Sequence, residues 1–218
     1  MWLYGTALAD DGWRADAVDL RGHGLAPRAL DYTIAAYAAD LLAARPDGGG
    51  AWDLVIGHSL GGAASTAAAA AQPDWTRRLV LIDPAIHLGE RDRQIVRESQ
   101  ERSFADPSTA AVRAEHPRWH EQDVEAKALS AQQASRWAVE QTSTQNPVWD
   151  ERTAASRLTI PTHVIASDPA VYSIFAGRLV DEVAANPLVS ISVVKDAGHS
   201  PHRDKPAETI RQLRKALA

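Results

Sequence analysis

Three features follow one another without a gap between Trp52 and Ala71: a short β-branched run to Gly57, the segment Gly57-His58-Ser59-Leu60-Gly61-Gly62, and an alanine-rich stretch from Leu60 to about Ala71, closed by Pro73. Glycine-bounded runs of this kind read as buried parallel strands. The middle segment is a G-x-S-x-G motif in the setting it needs, with a strand before it and a helix after it. A serine there must sit in a tight turn, and flanking glycines remove the Cβ atoms that would clash. Its oxygen then projects above the strand's C-terminal end. The helix behind it offers unbonded N–H groups and positive potential to a developing oxyanion.

The rest of the chain repeats this alternation. Trp2–Asp11 suits a helix that Gly12 ends, and residues 13–20 read as a strand leading into the turn 21–24. Ile34, Tyr37, Leu41 and Leu42 form one apolar helical stripe. Arg78–Ile82 is a strand that stops at Asp83-Pro84, Thr162–Ala166 follows Pro161 as another, and Leu188–Val194 is the last. Between these lie helical patterns at Phe175–Ala185 and at Ile210, Leu213 and Leu217. From His87 to about Glu151 no run suits a buried strand, and one long helix is expected over Glu121–Gln141. The pattern predicts an α/β fold: a mostly parallel sheet with flanking helices, built from 1–86 and 152–218, with 87–151 inserted as a helical cap.

A serine hydroxyl needs a base and an orienting acid to act as a nucleophile. His199 lies in the loop after the strand ending at Val194, and Asp168 follows the strand Thr162–Ala166. In a parallel sheet both loops open on the edge that holds Ser59. Asp168 is therefore the expected acid. Asp83 stays as the alternative acid, with Asp168 preferred because Pro84 after Asp83 suits a turn. His58, Trp119, Trp137 and Trp149 are candidates for a substrate pocket that would take an apolar acyl or ring group. His23 reads as a turn residue, and His202 stands behind His199. His116 and His120 could share a helix face, but Pro117 sits between them and no carboxylate triplet completes a metal site, so no metal is expected.

Asp19-Leu20-Arg21-Gly22-His23-Gly24, the Gly57–Gly62 segment and Gly198-His199-Ser200-Pro201-His202 together resemble the α/β-hydrolase superfamily along nearly the whole chain. The resemblance implies Ser59 as nucleophile, His199 as general base then acid, Asp168 as the residue that holds the imidazole, and Leu60 N–H as an oxyanion donor. It implies hydrolysis of an ester, lactone or thioester through an acyl-enzyme, without a cofactor. Hydrolytic C–C cleavage, perhydrolysis and non-catalytic ligand binding are the alternatives on the same fold. Members of the superfamily carry strands ahead of the first helix, the last ending in a His-Gly loop that gives a second oxyanion N–H. The sequence starts inside the segment that should follow that loop. The expectation is therefore either that Met1 is an internal methionine or that the fold is N-terminally truncated.

Composition narrows the partners. Lys plus Arg is 23 against 28 Asp plus Glu, a net charge of -5, which does not suit a nucleic-acid groove. Cysteine is absent, which excludes disulfides and thiolate chemistry. No window suits a membrane span, and residues 1–4 show no basic start of a signal peptide, so a cytoplasmic protein acting on a small molecule is expected.

Overall fold

The computed structural model describes residues 2–218. The chain forms two compact units, one made of the N-terminal residues up to Tyr32 with Gly89–Pro147, the other of Thr33–Leu88 with Val148–Ala218.

The second unit carries a four-stranded parallel sheet in the order β1 (Val55–His58), β2 (Leu79–Ile82), β3 (Thr162–Ser167), β4 (Val189–Val194). Register aligns His58 with Ile82 and Ile82 with Ile165, so the strands' C-terminal ends form one rim. All four β2 residues are buried, as an uninterrupted apolar run between two neighbours must be. Thr33 caps the helix α2 (Ile34–Ala43) by accepting from Ala36 N–H. The alanine stretch forms α3 (Leu60–Ala71), which packs against α2 and β1. Close approach there depends on glycine: a Cβ on Gly57 would lie 2.6 Å from the Gly61 carbonyl oxygen, and one on Gly62 would lie 2.6 Å from Pro84. Short helices α8 (Arg152–Ser156) and α9 (Arg178–Ala184) precede and follow β3, and α11 (Pro206–Leu217) packs on β3 and β4 after the single turn α10 (Pro201–Asp204).

The first unit is helical: α1 (Trp2–Asp10), α4 (Glu90–Ala105), α5 (Thr109–Glu115), α6 (Glu121–Gln133) and α7 (Arg136–Thr144). Sequence pattern expected one helix over Glu121–Gln141. The structure breaks it at Ser135, whose hydroxyl accepts from Ala138 N–H and starts α7 afresh. The pattern also divided the chain differently, placing the first residues with the sheet. They group instead with the insertion: Ser135 N–H donates to the Gly22 carbonyl, Gln145 accepts from Tyr32 N–H at 2.7 Å, and Asn146 donates to the Tyr32 carbonyl at 3.0 Å. Gly22 has φ 74, and a Cβ there would meet Ala138 at 2.5 Å.

Residues 13–20, expected as a strand, belong to no ladder. Val18 is 52% exposed, and the Asp19 carboxylate is bound to Leu25 N–H in a local turn. A strand needs a neighbour to pair its amides, and none of the four strands pairs with this segment.

Candidate active site

Ser59 joins β1 to α3 with φ 51 and ψ -117, a left-handed setting that a residue with a Cβ adopts only under constraint. The constraint is visible: Ser59 N–H donates to the Ile82 carbonyl, and the Ser59 carbonyl accepts from Ala63 and Ala85 N–H. Its hydroxyl lies 2.9 Å from His199 Nε2. The other ring nitrogen, Nδ1, lies 2.7 Å from Oδ2 of Asp83. Asp83, not Asp168, meets the imidazole.

Asp83 follows β2 directly, also at positive φ (36), and is wholly buried. Its carboxylate accepts from Ser167 N–H at 3.1 Å, from Ile174 N–H at 3.2 Å and from the Ser173 hydroxyl as well as from His199. Burial alone would push this carboxyl up. The His199 hydrogen bond and charge, helped by Ser173 and Ser167, outweigh it and hold Asp83 below the ordinary carboxylate value.

The pattern that defines the Alpha/beta hydrolase family matches residues 1–212. The chain belongs to that family. A stretch of 81 residues is 46% identical to lipase LipV of Mycobacterium tuberculosis, covering 37% of this chain and 31% of the relative. Another of 85 residues is 34% identical to the sn-1-specific diacylglycerol lipase ABHD11 of Mus musculus, covering 36% and 28%. The matches thus span under a third of these relatives' own length. Among solved structures, an esterase from Exiguobacterium antarcticum superposes with a TM-score of 0.77 at 15% identity, over 100% of this chain and 86% of that one.

Within this hydrolase fold, Asp168 has a different set of partners from the expected one. Its Oδ1 accepts from Ala170 N–H and its Oδ2 from Asp196 N–H, each at 2.9 Å, and its own N–H donates to the Ala197 carbonyl. Those bonds, Asp196 first and then Ala170, lower its pKa. Asp168 therefore holds the start of the loop that carries His199. Proline does not separate the two acids, because Pro169 follows Asp168 just as Pro84 follows Asp83.

Leu60 opens α3, so its N–H belongs to a first turn whose amides have no partner within the helix. Trp149 packs with Ile34, Ala63, Ala85, Leu88 and Ile174, with Leu60 and Tyr172 against the same cluster, and its Nε1 donates to the Ala85 carbonyl. The other two tryptophans are placed differently from the pocket expectation. Trp119 is enclosed by Val112, Val124 and Ala128 in the core of the first unit, stacked on His116, and Trp137 is half-exposed with its ring edge on Tyr32. His58 is turned to the His199 backbone, its Nε2 2.7 Å from that residue's carbonyl oxygen. His23 bonds the Arg21 carbonyl in its turn, and no group of metal-ligating side chains occurs among the described residues. Ser167 and Ser173, both bound to Asp83, carry no motif and were not found from sequence.

Proposed function

We propose that the protein is a serine hydrolase that cleaves a carboxylic ester, lactone or thioester through an acyl-enzyme. The observation that carries this reading is the unbroken hydrogen-bond line from Ser59 Oγ through both nitrogens of His199 to the buried Asp83. Asp83 is ionised, so it fixes the proton of neutral His199 on Nδ1. Nε2 is then a lone pair facing the serine hydroxyl. As Oγ attacks the substrate carbonyl, Nε2 takes its proton, and the imidazolium lies against a carboxylate whose four donors keep it from moving. The oxyanion develops beside the first turn of α3, where Leu60 N–H is the donor; one such donor is worth about 3–4 kcal/mol in the transition state. His199 passes its proton to the leaving group, and water then repeats the steps on the acyl-enzyme.

The names of the two lipase relatives favour an ester as the bond. The apolar cluster of Trp149, Leu60 and Tyr172 favours an apolar acyl group on a small substrate. A fluorophosphonate probe tests the reading. It is expected to label Ser59 in the wild type and leave Ser59→Ala unlabelled, with p-nitrophenyl ester hydrolysis lost in parallel. Labelling or turnover that survives Ser59→Ala removes the assignment.

A further inference from the structure

The mechanism above uses one of three clustered imidazoles. The rings of His58 and His199 lie 4.8 Å apart, and those of His58 and His202 lie 4.7 Å apart. We propose that His58 is a positioning residue: its Nε2–H, donated to the backbone carbonyl of His199, ties the nucleophile's own strand to the base and sets the Ser59–His199 distance. This rests on the serine-hydrolase reading.

Three observations carry it. First, a carbonyl oxygen only accepts, so a nitrogen 2.7 Å away must carry the proton, which fixes the His58 tautomer. Second, the loop between β4 and α10 is anchored elsewhere from its own side of the sheet. Asp168 holds Asp196 N–H, Asp168 N–H holds the Ala197 carbonyl, and Asp204 accepts from Gly198 N–H at 2.7 Å. At the backbone carbonyl of residue 199 the tie comes from His58, which ends β1 and adjoins Ser59. Third, His58 stays neutral. Burial first, and the nearby His199 second, push it down to about 3. It therefore holds its tautomer and brings no second positive charge beside the imidazolium that forms at His199. Misplacing reacting groups by about 1 Å can cost on the order of 100-fold in rate, so the tie bears on turnover more than on substrate affinity.

The test compares wild type, His58→Leu and His58→Gln in p-nitrophenyl acetate hydrolysis and fluorophosphonate labelling. Glutamine keeps an N–H donor at similar reach; leucine keeps bulk without one. His58→Leu is expected to lower kcat and the labelling rate about tenfold, with KM within about twofold, as loss of one hydrogen bond implies. His58→Gln is expected to restore most of the loss. His58→Leu at the wild-type rate, or His58→Gln folded and as slow as His58→Leu, overturns the proposal. Nitrogen NMR of the wild-type ring decides the matter even if His58→Leu does not fold. A neutral Nε2–H tautomer from about pH 5 to pH 8 supports the tie, and an Nδ1–H tautomer overturns it. A wild type with the expected tautomer but no labelling at Ser59 overturns the hydrolase reading instead, and the catalytic role given to His58 with it.

Discussion

Four donors converge on the Asp83 carboxylate, and each removes a direction in which it could swing. Asp83→Asn keeps the size but offers His199 an amide that no longer fixes its tautomer. Ester hydrolysis is expected to fall on the order of 10⁴-fold in kcat. Asp168→Asn keeps one acceptor for the loop amides, and its loss is expected to stay within about tenfold. Equal losses in the two variants would argue that the acid role is shared. Ser59 carries a cost of another kind. Its left-handed backbone is cheap for glycine and strained for any residue with a Cβ, by about 1–3 kcal/mol. Thermal denaturation is expected to find Ser59→Gly more stable than Ser59→Ala by about 1 kcal/mol, after the extra freedom glycine gives the unfolded chain is subtracted. Equal stability of the two would mean that the turn is unstrained. The nucleophile and the base were legible from sequence because motif, strand and loop pointed to the same residues. The acid was not, because a carboxylate follows two neighbouring strands and only the path of the His199 loop selects between them.

At the scale of elements, the junction of β1 and α3 shows how local pattern and packing reinforce each other. Gly57 and Gly62 stand where a Cβ would strike backbone or Pro84, whereas a Cβ on Gly61 would meet nothing within 4 Å. Gly62→Ala is therefore expected to lower stability by about 1–3 kcal/mol through overpacking. Gly61→Ala, inside a helix with room around it, is expected to be neutral or stabilising by up to about 1 kcal/mol. Urea denaturation of both variants checks the contrast, and equal effects would contradict it. The same elements mark where sequence reading stops. Strands β1 to β4 were readable because apolar runs between helices have few other uses. Residues 13–20 differ from them in carrying Arg14, Asp16 and Asp19 where β1 to β4 have no Asp, Glu, Lys or Arg, and among the described residues no strand takes their hydrogen bonds. The break between α6 and α7 was missed for a smaller reason: one serine hydroxyl outcompetes helix continuation at Ser135.

The whole molecule should register its buried imidazoles as pH dependence. Burial lowers His58 to about 3, places His202 well below its ordinary value, and lowers His163 as well. The unfolded chain binds protons at these sites near pH 6.5, and the folded chain refuses them. Their contribution is complete above about pH 6.5 and is lost progressively as pH falls, for His58 down to about pH 3. The slope reaches at most about 1.4 kcal/mol per pH unit for each fully shielded ring. Asp83, held below the ordinary carboxylate value, adds its own loss only below about pH 4. Denaturation midpoints are expected to drop between pH 7 and pH 5. A flat profile there would mean that these rings take up protons in the fold as readily as outside it. The two hydrogen-bonded partners of His199 lie 116 and 140 positions before it in the chain. At about 5–20 residues per second the ribosome makes Ser59 roughly 7–28 s before His199. Throughout synthesis of that stretch the elbow is an ordinary alcohol. Probe reactivity is then expected to begin only once β4 has docked and brought His199 to the elbow, which makes labelling a clock for that docking.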